Sequence, residues 1–158
     1  MLRAMRLGCA ALALLLPVLP AAAAPTAPTA PIAPIAPIAP ESTLRAQGEA
    51  LWRGERPLAG QIAGHAQAMP AAALRCVNCH GGGPGAAPGG APRLDAATLT
   101  RPLARRGGPP SAYDEQAFCR LLRTGIDPAA VLLPREMPRY RIDDRDCAAL
   151  WRHLVATR

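Results

Sequence analysis

Two cysteines and a histidine stand close together in the middle of the chain, in the sequence Cys76-Val77-Asn78-Cys79-His80. This Cys-x-x-Cys-His spacing is typical of covalent c-type haem attachment. One helical turn places both thiols within reach of the two haem vinyl groups, and the histidine that follows can bind the iron. We therefore expect one haem c, bonded through Cys76 and Cys79 and ligated by His80.

Zinc binding and thiol–disulfide chemistry are the two alternatives for the same residues. Structural zinc takes four ligands, and the motif supplies three, so Cys119 or Cys147 would have to provide the fourth. A redox dithiol is expected at the start of a helix in a βαβ unit, and no segment of this chain alternates like a strand. Haem attachment best fits the Cys-x-x-Cys-His spacing. It also fits the export signal described below.

The composition leaves little material for an ordinary hydrophobic core. Only five of the 158 residues are aromatic, so a bound cofactor is expected to fill part of the centre. Basic residues exceed acidic ones by seven, and the chain contains no lysine, so all of its basic residues are arginine. This surplus favours docking to an acidic partner. Nucleic acid is not an expected partner, because no basic stripe is interleaved with aromatic residues.

The first 24 residues have the pattern of an export signal. Arg3 and Arg6 precede an uncharged apolar run, and Ala22–Ala24 offer small residues for cleavage near Ala23 or Ala24. The apolar centre is shorter than the roughly 20 residues that span a bilayer. We expect a cleaved signal peptide and a periplasmic protein. The alternative is an uncleaved anchor, in which residues 7–24 tether the protein to the outer face of the inner membrane.

Residues 25–40 read PTAPTAPIAPIAPIAP, with proline at every third position. Proline fixes its own φ angle and donates no backbone hydrogen bond, so this segment is predicted to be a polyproline II spacer. The folded domain is then expected to occupy residues 41–158. A spacer of this kind suits a domain held at a distance from a membrane or a partner.

Apolar spacing and capping residues predict an all-α domain. Gly48 lies in the middle of the first helix, where it costs about 1 kcal/mol relative to alanine, so another helix is expected to approach closely there. Residues 54–69 are predicted to be irregular, 81–90 to be a loop and 127–141 to be extended. The first predicted helix is 43–53, capped by Ser42 or Thr43 and ended by Gly54, and a short helix is predicted to run from Pro70 into Cys76. The next two are 95–105, capped by Asp95, and 112–124, which starts with a capping box of Ser111 and Asp114 and ends at Gly125. The last is 143–156, which starts with Asp143 and Asp146.

Four segments in this order resemble the monohaem class I cytochromes c, over residues 43–155. The resemblance implies an all-α class I cytochrome c fold, in which four to five short helices wrap one covalent haem and the first and last helices cross. The segments are GEALW (48–52), CVNCH (76–80), APRL (91–94), and MPRY (137–140) followed by CAALWRHL (147–154).

The resemblance also implies the residues around the haem. Met137 matches the second axial ligand of the iron, opposite His80. The carbonyl of Pro92 matches the acceptor of the second ring N–H of His80, and Leu94 is expected to pack on the haem. Met69 is expected to pack in the core, and His65 and His153 are not expected to be ligands. Arginines that could pair with haem propionates are Arg105, Arg106, Arg139 and Arg141.

Cys119 and Cys147 are the cysteines left over after the leader and the attachment motif. They lie on the apolar faces of the last two predicted helices, in a chain that is predicted to be exported. Disulfides persist in such compartments, so we expect these two cysteines to be bonded to each other.

A haem ligated by histidine and methionine has no free position for a substrate. The expected function is therefore one-electron transfer, with a dehydrogenase, a cytochrome bc complex or a terminal oxidase as redox partner. One alternative is the haem subunit of a dehydrogenase complex, which uses the same chemistry. Another is a haem enzyme such as a peroxidase, for which His65 is the only candidate distal group.

Overall fold

Helices carry most of the regular backbone of the computed structural model, which describes residues 40–81 and 91–157. The predicted signal peptide (1–24), the spacer up to residue 39 and residues 82–90 of the predicted loop lie outside the described residues. No helix within the described ranges is both long and apolar enough to cross a membrane. The elements are α1 (Glu41–Arg53), β1 (Ala59–Gln61), a 3-10 turn (Ala71–Leu74), α2 (Cys76–His80), α3 (Ala96–Thr100), α4 (Glu115–Thr124), β2 (Arg139–Arg141) and α5 (Asp144–Ala156).

Aspartate side chains cap three of these helices, and the caps at Asp95 and Asp143 are as predicted. The side chain of Asp95 accepts from the backbone N–H of Thr98 at 2.8 Å, and Asp114 and Asp143 each accept an equivalent bond at 2.7 Å. These bonds satisfy N–H groups that have no partner inside the helix. The capping box forms at Asp95, where the Thr98 hydroxyl accepts in return from the Asp95 N–H at 3.0 Å, and not between Ser111 and Asp114 as predicted.

Three helix boundaries differ from the prediction. Helix α4 begins at Glu115 with Asp114 as its cap, and not at residue 112 with Ser111 as its cap. Helix α1 begins at Glu41, directly after Pro40, with no side-chain cap, so the cap predicted at Ser42 or Thr43 is wrong. Helix α3 ends at Thr100 rather than near residue 105. Pro102 explains the early end, because proline forces the residue before it out of the helical region.

The helix predicted from Pro70 is divided in two. Residues Ala71–Leu74 form a 3-10 turn, and Arg75 is extended, with φ −69° and ψ 121°. Helix α2 then starts afresh at Cys76. The break gives the attachment motif a short helix of its own.

A small antiparallel sheet corrects the prediction that the domain is purely α-helical. Strand β1 pairs with β2, with Gly60 opposite Tyr140. Both strands have three residues and lie in segments that the sequence predicts to be irregular or extended. The fold is therefore helix-dominated, with one two-stranded sheet that joins the segment before α2 to the segment before α5.

Helices α1 and α5 pack at Gly48, as the sequence predicts. A Cβ atom on Gly48 would collide with the Ala149 carbonyl and would lie 2.7 Å from the Cβ of His153. Only glycine allows the two backbones to approach this closely. Leu51 of α1 and Leu150 and Leu154 of α5 are almost completely buried beside this contact.

A disulfide joins α4 to α5. Cys119 and Cys147 are bonded, with their Cα atoms 5.8 Å apart, so the predicted pairing is confirmed. Phe118 packs against Trp151 next to this bond, with ring centroids 5.5 Å apart. The disulfide and the two rings hold the last two long helices together in the core.

Candidate cofactor attachment site

Helix α2 consists of the attachment motif and nothing else. Cys76 and Cys79 lie one turn apart on it, and neither belongs to a disulfide. Cys76 is buried, at 8 % exposure, whereas Cys79 is exposed. The N–H of Gly81 bonds to the carbonyl of Val77 at 3.0 Å and ends the helix. Both thiols of the motif are therefore free and one helical turn apart, as the Cys-x-x-Cys spacing predicts.

The imidazole of His80 is held by the backbone of the segment that follows the loop. Its Nδ1 lies 2.7 Å from the carbonyl oxygen of Pro92, so the hydrogen bond implied by the resemblance is present. Burial lowers the pKa of His80, and the bond to Pro92 partly opposes that change. A neutral imidazole that donates through Nδ1 keeps the lone pair of Nε2 free for a metal.

Cys76 lies in an apolar setting that keeps its thiol protonated. Burial raises the pKa of Cys76 to about 11, and the neighbouring Tyr140 hydroxyl offsets part of that rise. Low-pKa thiolates are typical of redox-active cysteines. Burial moves the pKa of Cys76 in the opposite direction.

Met137 lies in the segment between α4 and β2 and is partly buried against the core. Its N–H donates to the carbonyl of Pro134 at 3.1 Å, and its carbonyl accepts from Nη1 of Arg139 at 2.6 Å. The segment is tied to the approach of α2, because the hydroxyl of Tyr140 donates to the carbonyl of Leu74 at 3.1 Å. Tyr140 thus links the segment after Met137 to Leu74, which lies two residues before Cys76.

A cavity of about 160 Å³ opens beside His80. Leu94, Trp52 and Leu154 border it together with His80, and the ring centroids of Trp52 and His80 are 6.4 Å apart. Leu94 is also partly buried against the core. His80 and Leu94, both predicted site residues, therefore border the same space.

The other histidines and the other methionine outside the leader take different positions. Met69 packs partly buried against the core, and its N–H bonds to the Gly60 carbonyl at 2.9 Å. His153 is half-buried on α5. His65 is exposed, and its Nε2 lies 3.0 Å from a guanidinium nitrogen of Arg135. His65 therefore lies beside the segment that carries Met137, a placement that its sequence position does not reveal.

Arg105 and Arg139, two of the candidate propionate partners, bind backbone carbonyls instead. Arg105 donates to the carbonyl of Leu103 at 3.1 Å and to those of Ser111 and Thr98, and it lies 5.0 Å from the centroid of the Tyr113 ring. Arg139 donates to the carbonyls of Met137 and Leu133. Sequence reasoning missed these roles, because nothing local distinguishes an arginine that binds carbonyls from one on the surface. Arg106 and Arg141 are exposed.

The donor set suits thioether attachment and does not suit zinc. Cys119 and Cys147, the candidates for a fourth zinc ligand, are bonded to each other. In residues 40–81 and 91–157, no three His, Cys, Asp or Glu side chains are placed to hold a metal ion together. Cys76 and Cys79 remain as thiols, with the neutral His80 beside them, and this set fits a haem c.

No protein-family model, curated protein or solved structure matches the chain.

Proposed function

We propose that this protein is an exported one-electron carrier with one covalently attached haem c. The observation that carries the proposal is the hydrogen bond between Nδ1 of His80 and the Pro92 carbonyl, at 2.7 Å. It orients the imidazole that follows the two free thiols and leaves Nε2 available. A histidine that serves only as a surface residue has no need of such an anchor.

Each proposed site residue has a distinct role. Cys76 and Cys79 would hold the haem through thioether bonds, so that an exported protein keeps its cofactor. His80 and Met137 would ligate the iron, the Pro92 carbonyl orients the His80 ring, and Leu94 would pack against the haem. When bound, the haem supplies the Fe(III)/Fe(II) couple, whose potential methionine ligation and apolar burial raise.

The fold supports the proposal in its coarse features. The first and last helices of the described residues pack closely at Gly48, and this contact is compatible with the helix crossing that the resemblance to class I cytochromes c implies. The attachment helix and the segment of Met137 lie between these two helices in sequence and are joined through Tyr140 and Leu74. We propose a class I cytochrome c fold on this basis.

The surface charge favours an acidic redox partner. The chain carries a formal charge of +7, with 18 arginines against 11 Asp and Glu residues and no lysine. Without Arg3 and Arg6 of the predicted signal peptide the charge is +5. We propose that it exchanges electrons in the periplasm with a dehydrogenase, a cytochrome bc complex or a terminal oxidase, either as a soluble protein or tethered through residues 7–24. The rate of electron transfer should then fall as salt concentration rises.

A haem peroxidase is a second candidate, and the position of His65 favours it. A peroxidase needs a free sixth position at the iron and a distal acid–base group. Nε2 of His65 lies 3.0 Å from a guanidinium nitrogen of Arg135, which is two residues from Met137 along the chain. Carbon monoxide separates the two functions. Reduced wild-type protein that binds carbon monoxide readily has an open position and is an enzyme candidate, whereas a carrier with Met137 bound does not react.

The decisive experiment uses the mature protein and two methionine variants. Covalent haem adds its mass to the chain and gives a c-type absorption spectrum in the reduced state. Met137→Ala is expected to lose the weak long-wavelength band of sulfur ligation and to bind carbon monoxide, while Met69→Ala, the matched control, keeps the wild-type behaviour. Colourless protein would disprove haem attachment, and a Met137→Ala variant with an unchanged band would disprove the ligand assignment.

A further inference from the structure

We propose that Arg139 is the positioning residue that holds Met137 at the iron. This inference rests on the proposed function, because it assigns Arg139 to the segment that presents the axial methionine. Arg139 does so through the backbone of residues 133–137, without touching the iron or the haem.

The guanidinium of Arg139 ties together the two ends of a tight segment. Nη1 donates to the carbonyl of Met137 at 2.6 Å and Nη2 donates to the carbonyl of Leu133 at 3.3 Å. Inside this span, the N–H of Met137 bonds to the carbonyl of Pro134 at 3.1 Å. One planar cation therefore closes a turn whose last residue is the proposed ligand. Lysine cannot reproduce this, because a single ammonium nitrogen lacks the fixed fork of donors.

The C-terminal end of α4 is shaped to accept this guanidinium. Gly125 ends α4 in the left-handed conformation, with φ 76°, and a Cβ atom there would overlap the guanidinium of Arg139. The carbonyl of Gly125 also accepts from the N–H of Leu133 at 2.8 Å. Leu133 is therefore fixed through its N–H by Gly125 and through its carbonyl by Arg139, which anchors the segment to α4.

The position of Arg139 does not suggest an ordinary surface cation. Its side chain is partly buried, and it takes part in none of the ion pairs formed among the described residues. Arg141 lies two residues further along β2 and is exposed. The two arginines share a strand and a charge, and only Arg139 is bonded to the backbone of the Met137 segment. Arg141 is therefore a matched control.

Removal of the two hydrogen bonds from Arg139 should detach Met137 from the iron under conditions in which the domain is still folded. Thioether sulfur is a weak ligand, and its occupancy depends on how well the chain presents it. Hydrogen bonds from a charged donor are stronger than neutral ones, so removing both should raise the population with Met137 detached about tenfold or more. The segment itself should also open more often, and its backbone amides should exchange faster.

The test compares Arg139→Gln, Arg139→Lys and Arg141→Gln in the mature haem protein. Arg139→Gln is expected to bind carbon monoxide at least about tenfold faster than wild type when reduced, and to lose the sulfur band at a lower denaturant concentration than it loses helical signal. Arg139→Lys should give values between those of Arg139→Gln and wild type in both measurements. Arg141→Gln should match wild type. Hydrogen exchange at the Leu133 and Met137 amides should accelerate in Arg139→Gln, a readout that does not involve the haem.

The outcomes separate this inference from the proposed function. Arg139→Gln with wild-type carbon monoxide binding and amide exchange would overturn the positioning role, as would loss of the sulfur band only together with global unfolding. If Arg139→Gln does not fold, Arg139→Lys decides by the same two measurements. Wild-type protein without haem or without the sulfur band would instead refute the proposed function itself.

Discussion

The hydroxyl of Tyr140 donates a hydrogen bond to the carbonyl of Leu74, 3.1 Å away, and both residues are buried, at 5 % and 2 % exposure. Tyr140 is the middle residue of β2, and Leu74 ends the turn before the attachment helix. This bond joins two segments that are far apart in sequence and that carry the proposed ligands of one iron. It is the side-chain link between the Met137 segment and the approach to α2.

Tyr140→Phe is expected to destabilise the domain by about 1–3 kcal/mol, because it leaves the Leu74 carbonyl buried without this donor. The aromatic ring at position 140 and its packing remain, so the decrease in the free energy of unfolding measures the contribution of the hydroxyl alone. Denaturant unfolding measures it. Tyr113→Phe is the control, since the Tyr113 hydroxyl donates to no backbone carbonyl within the described part of the chain, and equal losses in the two variants would refute the importance of this bond.

Gly48→Ala is expected to destabilise the domain by about 1–3 kcal/mol or more, although alanine favours a helix. The new Cβ would collide with the Ala149 carbonyl and with His153, and overpacking of this kind forces the two helices apart. Thermal or denaturant unfolding provides the measurement. Ala46→Gly, at an exposed position of the same helix, should cost only about 1 kcal/mol. An equal or more stable Gly48→Ala protein would show that α1 and α5 do not pack in this way.

Replacing Cys119 and Cys147 together by alanine is expected to lower the free energy of unfolding by about 2–4 kcal/mol, as for other disulfides that close loops of this size. The bond spans 28 residues and connects the buried faces of α4 and α5. Thiol labelling of unfolded mature protein is an independent check. No thiol should react before reduction and two should react after it, because the proposed thioether bonds would protect Cys76 and Cys79. Labelling before reduction would contradict the pairing.

His153 is expected to make the stability of the domain depend on pH. Burial lowers the pKa of His153. The charge of Glu49 opposes this shift, and the charges of Arg45 and Arg53 add to it. The unfolded chain then binds a proton more readily, so the stabilising effect is complete above the ordinary histidine pKa of about 6.5 and is lost as pH falls below it. The change should stay below about 1 kcal/mol, because His153 is partly exposed.

The measurement is the free energy of unfolding between about pH 4.5 and 8. His153→Gln should reduce the slope below about pH 6.5 and keep its Cβ contact with α1. His65→Gln, on an exposed loop, is the control for removal of a histidine. An identical pH dependence in wild type and His153→Gln would contradict the assignment.

Local chemistry explains which parts of the fold can be predicted from the sequence. Aspartates at helix starts and glycines at helix ends act through neighbouring backbone groups, so Asp95, Asp143 and Gly125 mark boundaries that the structure contains. The close approach of another helix at Gly48 can also be predicted, because glycine destabilises the interior of a helix unless close packing requires it. The His80–Pro92 bond is implied by the resemblance to a known family.

Contacts between distant segments explain the rest. Strands β1 and β2 have three residues each, too few for an alternating pattern, and each is a strand only because the other lies beside it. The clamp of Arg139 on Leu133 and Met137 likewise depends on the chain reversing at Gly125 and again before β2. Neither the β1–β2 pairing nor the Arg139 hydrogen bonds can be predicted from the residues next to them in sequence.

The close packing of Gly48 on Ala149 also governs when the domain can form during synthesis. These residues are 101 positions apart, so the two helices can pack only after the intervening chain has been made. Contacts over such long sequence separations slow folding. Cys76 and Cys79 lie between the two positions, so slow closure of this helix pair would keep both thiols accessible for longer before the domain forms.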